Sequence, residues 1–438
     1  MCDFPGKSFS LDGDSKLLGY LKSGPQHFSY LSNKSLNIIA NLTEDELLKQ
    51  SPQLIQLWPE IIKDALRFLK RHDTGEWPQD QPEQDLSSFF EEKSLGVDQL
   101  EKIIKAYAGF EDLLYGASTS YRDHIAHPFR VWLIGHCLIQ ECIEWKFEAP
   151  TEGNLSISNV EWECMWALVA LCHDLGYPAR DINKVNHKVR DTFKALGLSQ
   201  SGDTRFNYSR QMLPFHDTLI KLIASTPVSS KNNANEFQTH LQAKYYLKML
   251  KSFDQLDHGI ISALLIGYTL VYFLESEISL DNYKSLNAED ARQFLIRREI
   301  LRAIASHTCL DIYHLHFNTL SFLLYIADEL QEWGRPNLEE IKGNRNKSVL
   351  ISTVVNSYTS DDVEVSLLFQ DGWGPDLEEY AKDKIGKLRR VFRLAKDTVK
   401  LKDRKFSFKI GNDEKKMSFN LEMGSIKFKD SFEECDDR

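Results

Sequence analysis

The sequence WECMWALVALC at residues 162–172 runs directly into HDLGYP at residues 173–178. The first segment is apolar almost all round, which predicts a helix that is buried on every side. Gly176 and Pro178 predict the end of that helix. An imidazole and a carboxylate at the end of a buried helix are costly unless a partner neutralises them, and a metal ion is an effective partner. His173-Asp174 is therefore the first candidate for chemistry.

Two other His-Asp doublets occur in the chain, and their surroundings differ from those of His173-Asp174. His72-Asp73 follows two basic residues in a polar stretch, which predicts a solvated helix end. His216-Asp217 precedes the apolar-periodic residues 218–223, and Asp217 is a suitable N-cap for a helix there. Only the doublet at 173–174 ends an apolar helix and has further candidate ligands on both sides.

Composition limits the classes of protein to be considered. The 438 residues are enough for a large core and predict two or three domains. The chain is 42% hydrophobic and 27% charged, and its formal net charge of −11 argues against a general nucleic-acid coat. Its seven cysteines form no CxxC pair, which favours a reducing compartment such as the cytoplasm.

Nothing in the hydropathy pattern predicts a membrane protein. The N-terminal residues are polar and lack the apolar region of a signal peptide. The longest apolar stretch, residues 259–274, is shorter than the roughly 20 residues that span a bilayer. We therefore expect a buried core helix at that stretch and a soluble, cytoplasmic protein without a membrane partner.

The periodicity of apolar residues divides the chain into three predicted domains. Residues 1–95 predict an N-terminal helical segment. Residues 96–345 contain successive amphipathic or apolar helices without an alternating strand pattern, which predicts an all-helical domain. Two polar stretches within it, at 197–207 and 225–235, have lengths typical of lids or binding loops.

Residues 346–438 have a different pattern and predict a small α+β domain. Strands are expected at 348–355 and 363–369, followed by an amphipathic helix at 376–400. Alternating residues on both sides of Gly411-Asn412-Asp413 predict a hairpin. The fold class expected for the whole chain is thus mainly α, with a C-terminal α+β appendage.

Ionisable side chains at four further positions lie on or beside apolar helices of the central region. An unpaired ionisable group in such a place would be expensive, so shared partners are expected for all of them. These residues are His127, His258, His307 and Asp328.

In this order the residues resemble the HD superfamily of metal-dependent phosphohydrolases. His127, His173-Asp174 and Asp328 match that superfamily's H…HD…D pattern, and the two intervening histidines match a subgroup that generally holds two metals. The resemblance covers roughly residues 120–336, about half of the chain. It includes the local sequences HPFRV at 127–131 and IADEL at 326–330.

The resemblance implies a dinuclear metal site. One metal would be held by His127, His173, Asp174 and Asp328, and Asp174 would bridge to a second metal at His258 and His307. Imidazole-rich ligation suits two divalent ions of Mn, Fe, Co, Ni or Zn, and Mg is also compatible. Such ions would activate a bridging water for hydrolysis of a phosphate mono- or diester, with a nucleotide as the expected substrate.

The chain also departs from some subgroups of that superfamily. Gly176-Tyr177-Pro178 is adjacent to the doublet, whereas the GYP element of cyclic-dinucleotide phosphodiesterases is distant from it and follows a double histidine. Thr308 stands after His307, where a second histidine would complete such a pair. The Arg-rich surroundings of a deoxynucleotide triphosphohydrolase are not found either.

Substrate contacts and proton transfer are expected from residues close in sequence to the metal ligands. Besides Asp174, His124 and Glu329 are the candidates for catalysis, because each lies within a turn of a predicted ligand. Arg122, Lys184 and Arg335 are the candidates for phosphate binding, with Lys184 in a loop after the doublet. The other histidines are interpreted as structural, among them His136, His187, His240, His314 and His316.

A basic stretch at residues 382–409 offers a different function. It contains twelve Lys or Arg residues and three Asp residues. The simpler interpretation is a solvated helix face, and the alternative is a surface that binds RNA, DNA or a nucleotide effector. A non-catalytic binding or sensory module on the same fold is a second alternative, and a homo-oligomer is compatible with the sequence.

Overall fold

The structure is a computed structural model. It describes residues 9–10, 13–23, 28–43, 52–73, 95–117, 123–142, 155–196, 213–230, 233–274, 285–335, 350–369, 375–393, 404–412, 415–421 and 431–434. In this part of the chain the helices are α1 Gly13–Lys22, α2 Asn33–Asn41, α3 Pro52–Asp73, α4 Val97–Ala117, α5 Ala126–Cys142, α6 Asn159–Cys172, α7 Tyr177–Ala195, α8 Leu213–Ile223, α9 Ala243–Asp254, α10 His258–Thr269, α11 Val271–Leu274, α12 Ala288–Ser306, α13 Leu320–Leu330 and α14 Pro375–Arg393. The strands are β1 Phe9–Ser10, β2 Ser225–Ser230, β3 Asn233–Leu241, β4 Leu350–Tyr358, β5 Asp362–Phe369, β6 Lys405–Gly411, β7 Lys415–Leu421 and β8 Ser431–Glu434.

Helix α6 is the centre of the helical part, as its sequence predicts. Ser158 caps it, and the Glu161 side chain completes a capping box with the Ser158 backbone N–H. Every residue from Glu161 to Cys172 is buried, because α3, α5, α12 and α13 pack around it. The segment that follows is short: after four residues the chain starts α7, with Pro178 in its first turn.

The prediction of an all-helical central domain is wrong at one place. Strands β2 and β3 form an antiparallel hairpin from Ser225 to Leu241, where the sequence suggested a lid-like loop. The buried guanidinium groups of Arg298 and Arg302 on α12 donate hydrogen bonds to the Ser225 carbonyl, so buried donors fix the hairpin to the helices. The other expected loop, 197–207, lies outside the described residues.

Helix α8 also begins earlier than expected. It starts at Leu213, so His216-Asp217 lies inside the helix and Asp217 is not its N-cap. Asp217 instead accepts a hydrogen bond from Tyr246 Oη and pairs with Lys221 one turn later. The apolar stretch after His258 forms the buried helix α10, as predicted. In the described segments, helices that combine the length and the apolar character needed to cross a membrane are absent.

The C-terminal strands form one sheet in the order β1-β4-β5-β6-β7-β8. The predicted strands and the Gly411 hairpin are confirmed, and β5 and β6 are parallel because α14 crosses between them. The two-residue strand β1 was not predicted, since it is too short to show a pattern. Tyr358 Oη donates to the Phe317 carbonyl at 2.7 Å, which joins this sheet to the end of the helical part.

Candidate metal centre

Predicted ligands from five helices lie together at helix ends. His127 is in the first turn of α5, and His258 is the first residue of α10. His173 and His307 follow the last residues of α6 and α12, and Asp328 lies in the last turn of α13. Helix ends suit such residues because the chain there can turn an imidazole or carboxylate toward a common point.

The Asp174 carboxylate lies between two pairs of histidines. Its Oδ2 is 3.3 Å from His173 Nε2 and 3.7 Å from His127 Nε2. Its Oδ1 is 3.4 Å from His258 Nε2 and 3.7 Å from His307 Nε2. Each carboxylate oxygen thus faces its own pair of imidazole nitrogens. A carboxylate that bridges two cations would have this arrangement.

The spacing within each group fits a bound cation. The ligand atoms of His127, His173 and Asp174 lie within 4.8 Å of one another, and so do those of Asp174, His258 and His307. Two ligands that are each about 2.1 Å from one cation lie about 3–3.5 Å apart. The observed N–O separations lie in or just beyond that range and are longer than most hydrogen bonds.

Two of the imidazoles are oriented by backbone carbonyls. His173 Nδ1–H donates to the Ala170 carbonyl at 2.7 Å, and His307 Nδ1–H donates to the Ile304 carbonyl at 2.6 Å. The proton on Nδ1 leaves a lone pair on Nε2 in the neutral ring. Both Nε2 atoms are buried and make no hydrogen bond to the described part of the chain. Buried, lone-pair nitrogens of this kind are suited to bind a metal.

Gln331 fixes the third imidazole by the same principle. Its amide nitrogen donates to the Trp333 carbonyl at 2.6 Å, so its oxygen must face His127 Nδ1, 2.6 Å away. His127 Nδ1 therefore carries the proton, and its Nε2 lone pair faces Asp328 Oδ1 at 2.8 Å. Two acceptor atoms at that distance need a proton or a cation between them. Burial lowers the pKa of His127, which disfavours a proton on this nitrogen.

Gln331→Leu is expected to lower metal affinity about tenfold to hundredfold, because it removes the acceptor that holds the His127 tautomer. The expected change is a shift in the midpoint of a Mn²⁺ or Zn²⁺ titration followed by calorimetry. Gln331→Glu keeps an oxygen acceptor and is expected to retain more of the affinity than the Leu variant. Equal affinities of the Leu variant and the wild type would contradict this role.

The electrostatics of the two carboxylates keep them ionised. Burial alone raises the pKa of Asp174, but the neighbouring His173, His258 and His307 hold that pKa well below its usual range. Burial likewise raises the pKa of Asp328, but its close contact with His127 outweighs this effect and lowers it. Ionised carboxylates are the form that a cation requires. Burial lowers the pKa of His173, but the neighbouring Asp174 outweighs this effect and raises it, so a bound cation would take the place of a proton on this imidazole.

His258 differs from the other histidines in its partner. Arg180 Nη1 donates to His258 Nδ1 at 3.1 Å, so Nε2 carries the proton in this arrangement. A cation on His258 Nε2 would require the proton on Nδ1, and the hydrogen bond from Arg180 would then be lost. Burial lowers the pKa of His258 to about 4, so the ring is neutral at neutral pH. Cation binding and the Arg180 hydrogen bond therefore exclude each other.

Two glycines permit the close approach of these helices. A Cβ on Gly176 would lie 2.2 Å from the His258 carbonyl oxygen, and its backbone N–H donates to Ser262 Oγ. A Cβ on Gly259 would lie 2.9 Å from His307 Nδ1. Only glycine fits at these positions without displacing His258 or His307 from Asp174.

A cavity of about 480 Å³ opens beside the metal ligands. Its lining includes Asp174, His258, His307 and Asp328 from the candidate metal centre. It also includes basic residues from α7, from α14 and from the segment after α13, namely Arg180, Lys384, Lys387, Arg390 and Arg335. A volume of this size accommodates a small molecule of nucleotide dimensions.

The structure places both predicted proton-transfer residues in this lining. His124 Nε2 is 4.0 Å from Asp174 Oδ2, and burial holds the pKa of His124 well below its usual value. Glu329 pairs with Lys384 of α14 at 2.5 Å, so its carboxylate has a strong partner that the sequence did not indicate. His124 is thus the neutral imidazole at the cluster, and Glu329 is part of an ion pair.

The predicted phosphate-binding residues have different outcomes. Arg335 lines the cavity, and its Nε donates to the Asp123 carbonyl at 3.0 Å. Lys184 was expected in a loop and lies within helix α7 instead, with its side chain outside the described part. Arg122 lies outside the described residues.

Sequence reasoning missed Arg180 and Tyr177 as parts of the centre. The Tyr177 ring lies between the rings of His124 and His258, with centroid distances of 3.9 and 4.1 Å, and Arg180 lies over it. Arg180 also pairs with Asp181. A usable signal was present for Gln331, because it follows Asp328 by three residues and a helix places such residues on one face. No comparable signal marked Arg180.

Comparisons with known proteins add no relative to this description. No protein-family model matches the chain, and no curated protein or solved structure matches it either.

Proposed function

We propose that the protein is an HD-type, metal-dependent phosphohydrolase with a dinuclear centre. The observation that carries the proposal is the Asp174 carboxylate, whose two oxygens face separate pairs of histidines. A purely structural role for one buried carboxylate would not require four imidazoles around it, two of which, His173 and His307, have buried Nε2 atoms without a hydrogen bond to the described residues. The order of these residues in the sequence supports the same proposal through its resemblance to that superfamily.

His127, His173, Asp174 and Asp328 would hold one divalent cation, and Asp174, His258 and His307 would hold the other. The cations would supply an activated water and neutralise negative charge on the phosphoryl group. In the reaction the water oxygen bonds to phosphorus, the bond to the leaving oxygen breaks, and that oxygen gains a proton.

The side chains of the cavity have separate tasks in this reaction. His124 lies beside Asp174, and burial holds its pKa well below the usual value, so this neutral imidazole is the candidate to accept a proton from the attacking water. Arg180, once its hydrogen bond to His258 is given up, can turn its guanidinium to the phosphoryl oxygens. Arg335 offers a second guanidinium in the same lining.

The alternative of a nucleic-acid surface on the basic stretch is less well supported. Several of its cations already have carboxylate partners: Lys382 pairs with Glu378, Lys384 with Glu329 and Glu332, and Lys409 with Glu364. Paired cations release few counterions on binding a polyanion and add little affinity. Two other basic residues of α14, Lys387 and Arg390, line the cavity, which favours a small substrate.

Elemental analysis of the full chain, purified without chelators or added metal, tests the proposal. We expect about two transition-metal ions per chain and hydrolysis of phosphate esters that EDTA abolishes and Mn²⁺ or Fe²⁺ restores. Bis-p-nitrophenyl phosphate and p-nitrophenyl phosphate separate diester from monoester hydrolysis. Protein that binds neither metal, even after incubation with Mn²⁺ and Fe²⁺, would overturn the proposal.

A further inference from the structure

The cavity extends beyond the metal ligands to a group of residues that the proposed hydrolysis does not use. This outer group consists of Tyr325 on α13 and of Lys387 and Arg390 on α14, all of which line the cavity. Helix α14 belongs to the C-terminal α+β part, so the cavity is incomplete without it.

Tyr325 has an unusual environment for a phenol. Tyr325 is only 8% exposed, and its hydroxyl makes no hydrogen bond to the described part of the chain. A buried hydroxyl without a partner costs free energy, and such groups in native proteins call for an explanation such as a ligand. Because this residue lines the cavity, a ligand there would be able to supply the missing acceptor.

Arg390 is also available for a ligand. It is exposed and makes no hydrogen bond or ion pair with any described residue. Lys387 pairs at 3.1 Å with Asp383, and both of these side chains are largely exposed, so that the pair is weak and easily exchanged. Two cations and a phenol donor at one place are the groups that bind a phosphate.

The helix geometry places these cations apart from the metal ligands. Lys384 is anchored to Glu329, the neighbour of Asp328, whereas Lys387 and Arg390 follow on the same face of α14. At 1.5 Å per residue, they lie about 4.5 and 9 Å further along the helix axis. They are therefore suited to a second phosphate, bound further along α14 than Lys384.

Charge balance in the cavity supports the same conclusion. The lining contains five Lys or Arg side chains and five Asp or Glu side chains, so it is close to neutral without a cation. Two divalent cations at Asp174 would make the cavity lining strongly positive. One phosphate group carries too little negative charge to balance it. A ligand with several negative charges fits that field best.

We propose that Tyr325, Lys387 and Arg390 form an anion subsite for a second phosphate, and that the substrate is a small molecule with a di- or triphosphate group. This inference rests on the proposed function where it concerns the metal ions, but the subsite itself consists of the chain's own side chains. It therefore predicts binding of a polyphosphate even without metal.

The test is isothermal titration of inorganic tripolyphosphate into the chelator-treated full chain. The double variant Lys387→Gln/Arg390→Gln is expected to bind at least about tenfold more weakly, since it loses two charge-assisted contacts. Tyr325→Phe is expected to weaken binding by a smaller factor. The matched control is Lys382→Gln/Arg393→Gln, which removes the same charge from the same helix at exposed positions outside the cavity lining.

The outcomes separate this inference from the proposed function. Unaltered binding in the first double variant, equal losses in both double variants, or no binding by the wild type would overturn the subsite. If the subsite binds tripolyphosphate but the chain holds no metal, the hydrolase proposal fails and the subsite stands. A different result would be hydrolysis of p-nitrophenyl phosphate in the presence of metal together with a tripolyphosphate affinity that is the same in the wild type and in Lys387→Gln/Arg390→Gln. The hydrolase proposal would then stand and the subsite would fail.

Discussion

Asp174→Ala is expected to release both metal ions and to abolish hydrolysis. Its two carboxylate oxygens face different histidine pairs, at 3.3–3.7 Å, so one substitution removes a ligand from each cation. Loss of the cations removes several kcal/mol of transition-state stabilisation, which corresponds to a rate at least about a thousandfold lower. Elemental analysis and the phosphoester assay on the same preparation measure both effects.

Two further variants make this result specific to the bridging position. His258→Ala removes a ligand from one group only, so we expect it to retain about one metal per chain. Asp217→Ala is the matched control from another His-Asp doublet. This carboxylate contacts Lys221 and Tyr246 and is not part of the cavity lining, so its loss should leave the metal content unchanged. Retention of both metals by Asp174→Ala would refute the bridging role.

Lys384→Met is expected to destabilise the protein by about 3–5 kcal/mol, the cost of breaking a buried ion pair by removing one partner. The Lys384 side chain is 5% exposed, and its ammonium lies 2.5 Å from Glu329 and 2.6 Å from Glu332. It also donates to the Glu329 carbonyl. Without it, two carboxylates would be left facing each other at the junction between α13 and α14. The measurement is the free energy of unfolding in guanidinium chloride.

The control is Lys382→Met on the same helix. Lys382 pairs with Glu378, but its side chain is 61% exposed, so its loss should cost less than about 1 kcal/mol. A triple variant, Lys384→Met with Glu329→Gln and Glu332→Gln, should recover much of the loss because no buried charge is left unpaired. Equal destabilisation by the two single variants would show that the buried network contributes nothing particular.

Much of the architecture followed from local patterns. The apolar run at residues 162–172 and the alternation around Gly411 each predicted the element that is found. The hairpin was missed because residues 225–241 are rich in Ser, Asn and Thr, so that their pattern resembles a loop. Contacts that are distant in sequence hold it in place, namely the hydrogen bonds from the buried arginines of α12 and the backbone pairing of Phe237 with Leu286.

Sequence alone also determined which side chains needed a partner. His127, His173, Asp174, His258 and His307 lie on or beside helices that are too apolar to face water, so their burial was fixed by composition. Their spacing in the chain carried no information about which of them meet, since they come from separate helices and lie up to 180 residues apart.

Only the tertiary structure decided how these groups are paired. Packing at Gly176 and Gly259 brings His258 and His307 to one oxygen of Asp174, and Gln331 sets the tautomer of His127. The basic face of α14 resembled a solvated face in sequence, because a polar cavity and bulk water select the same residue types. In the fold that face lies beside the candidate metal ligands, because the buried Lys384 forms its ion pairs with Glu329 and Glu332 at the end of α13.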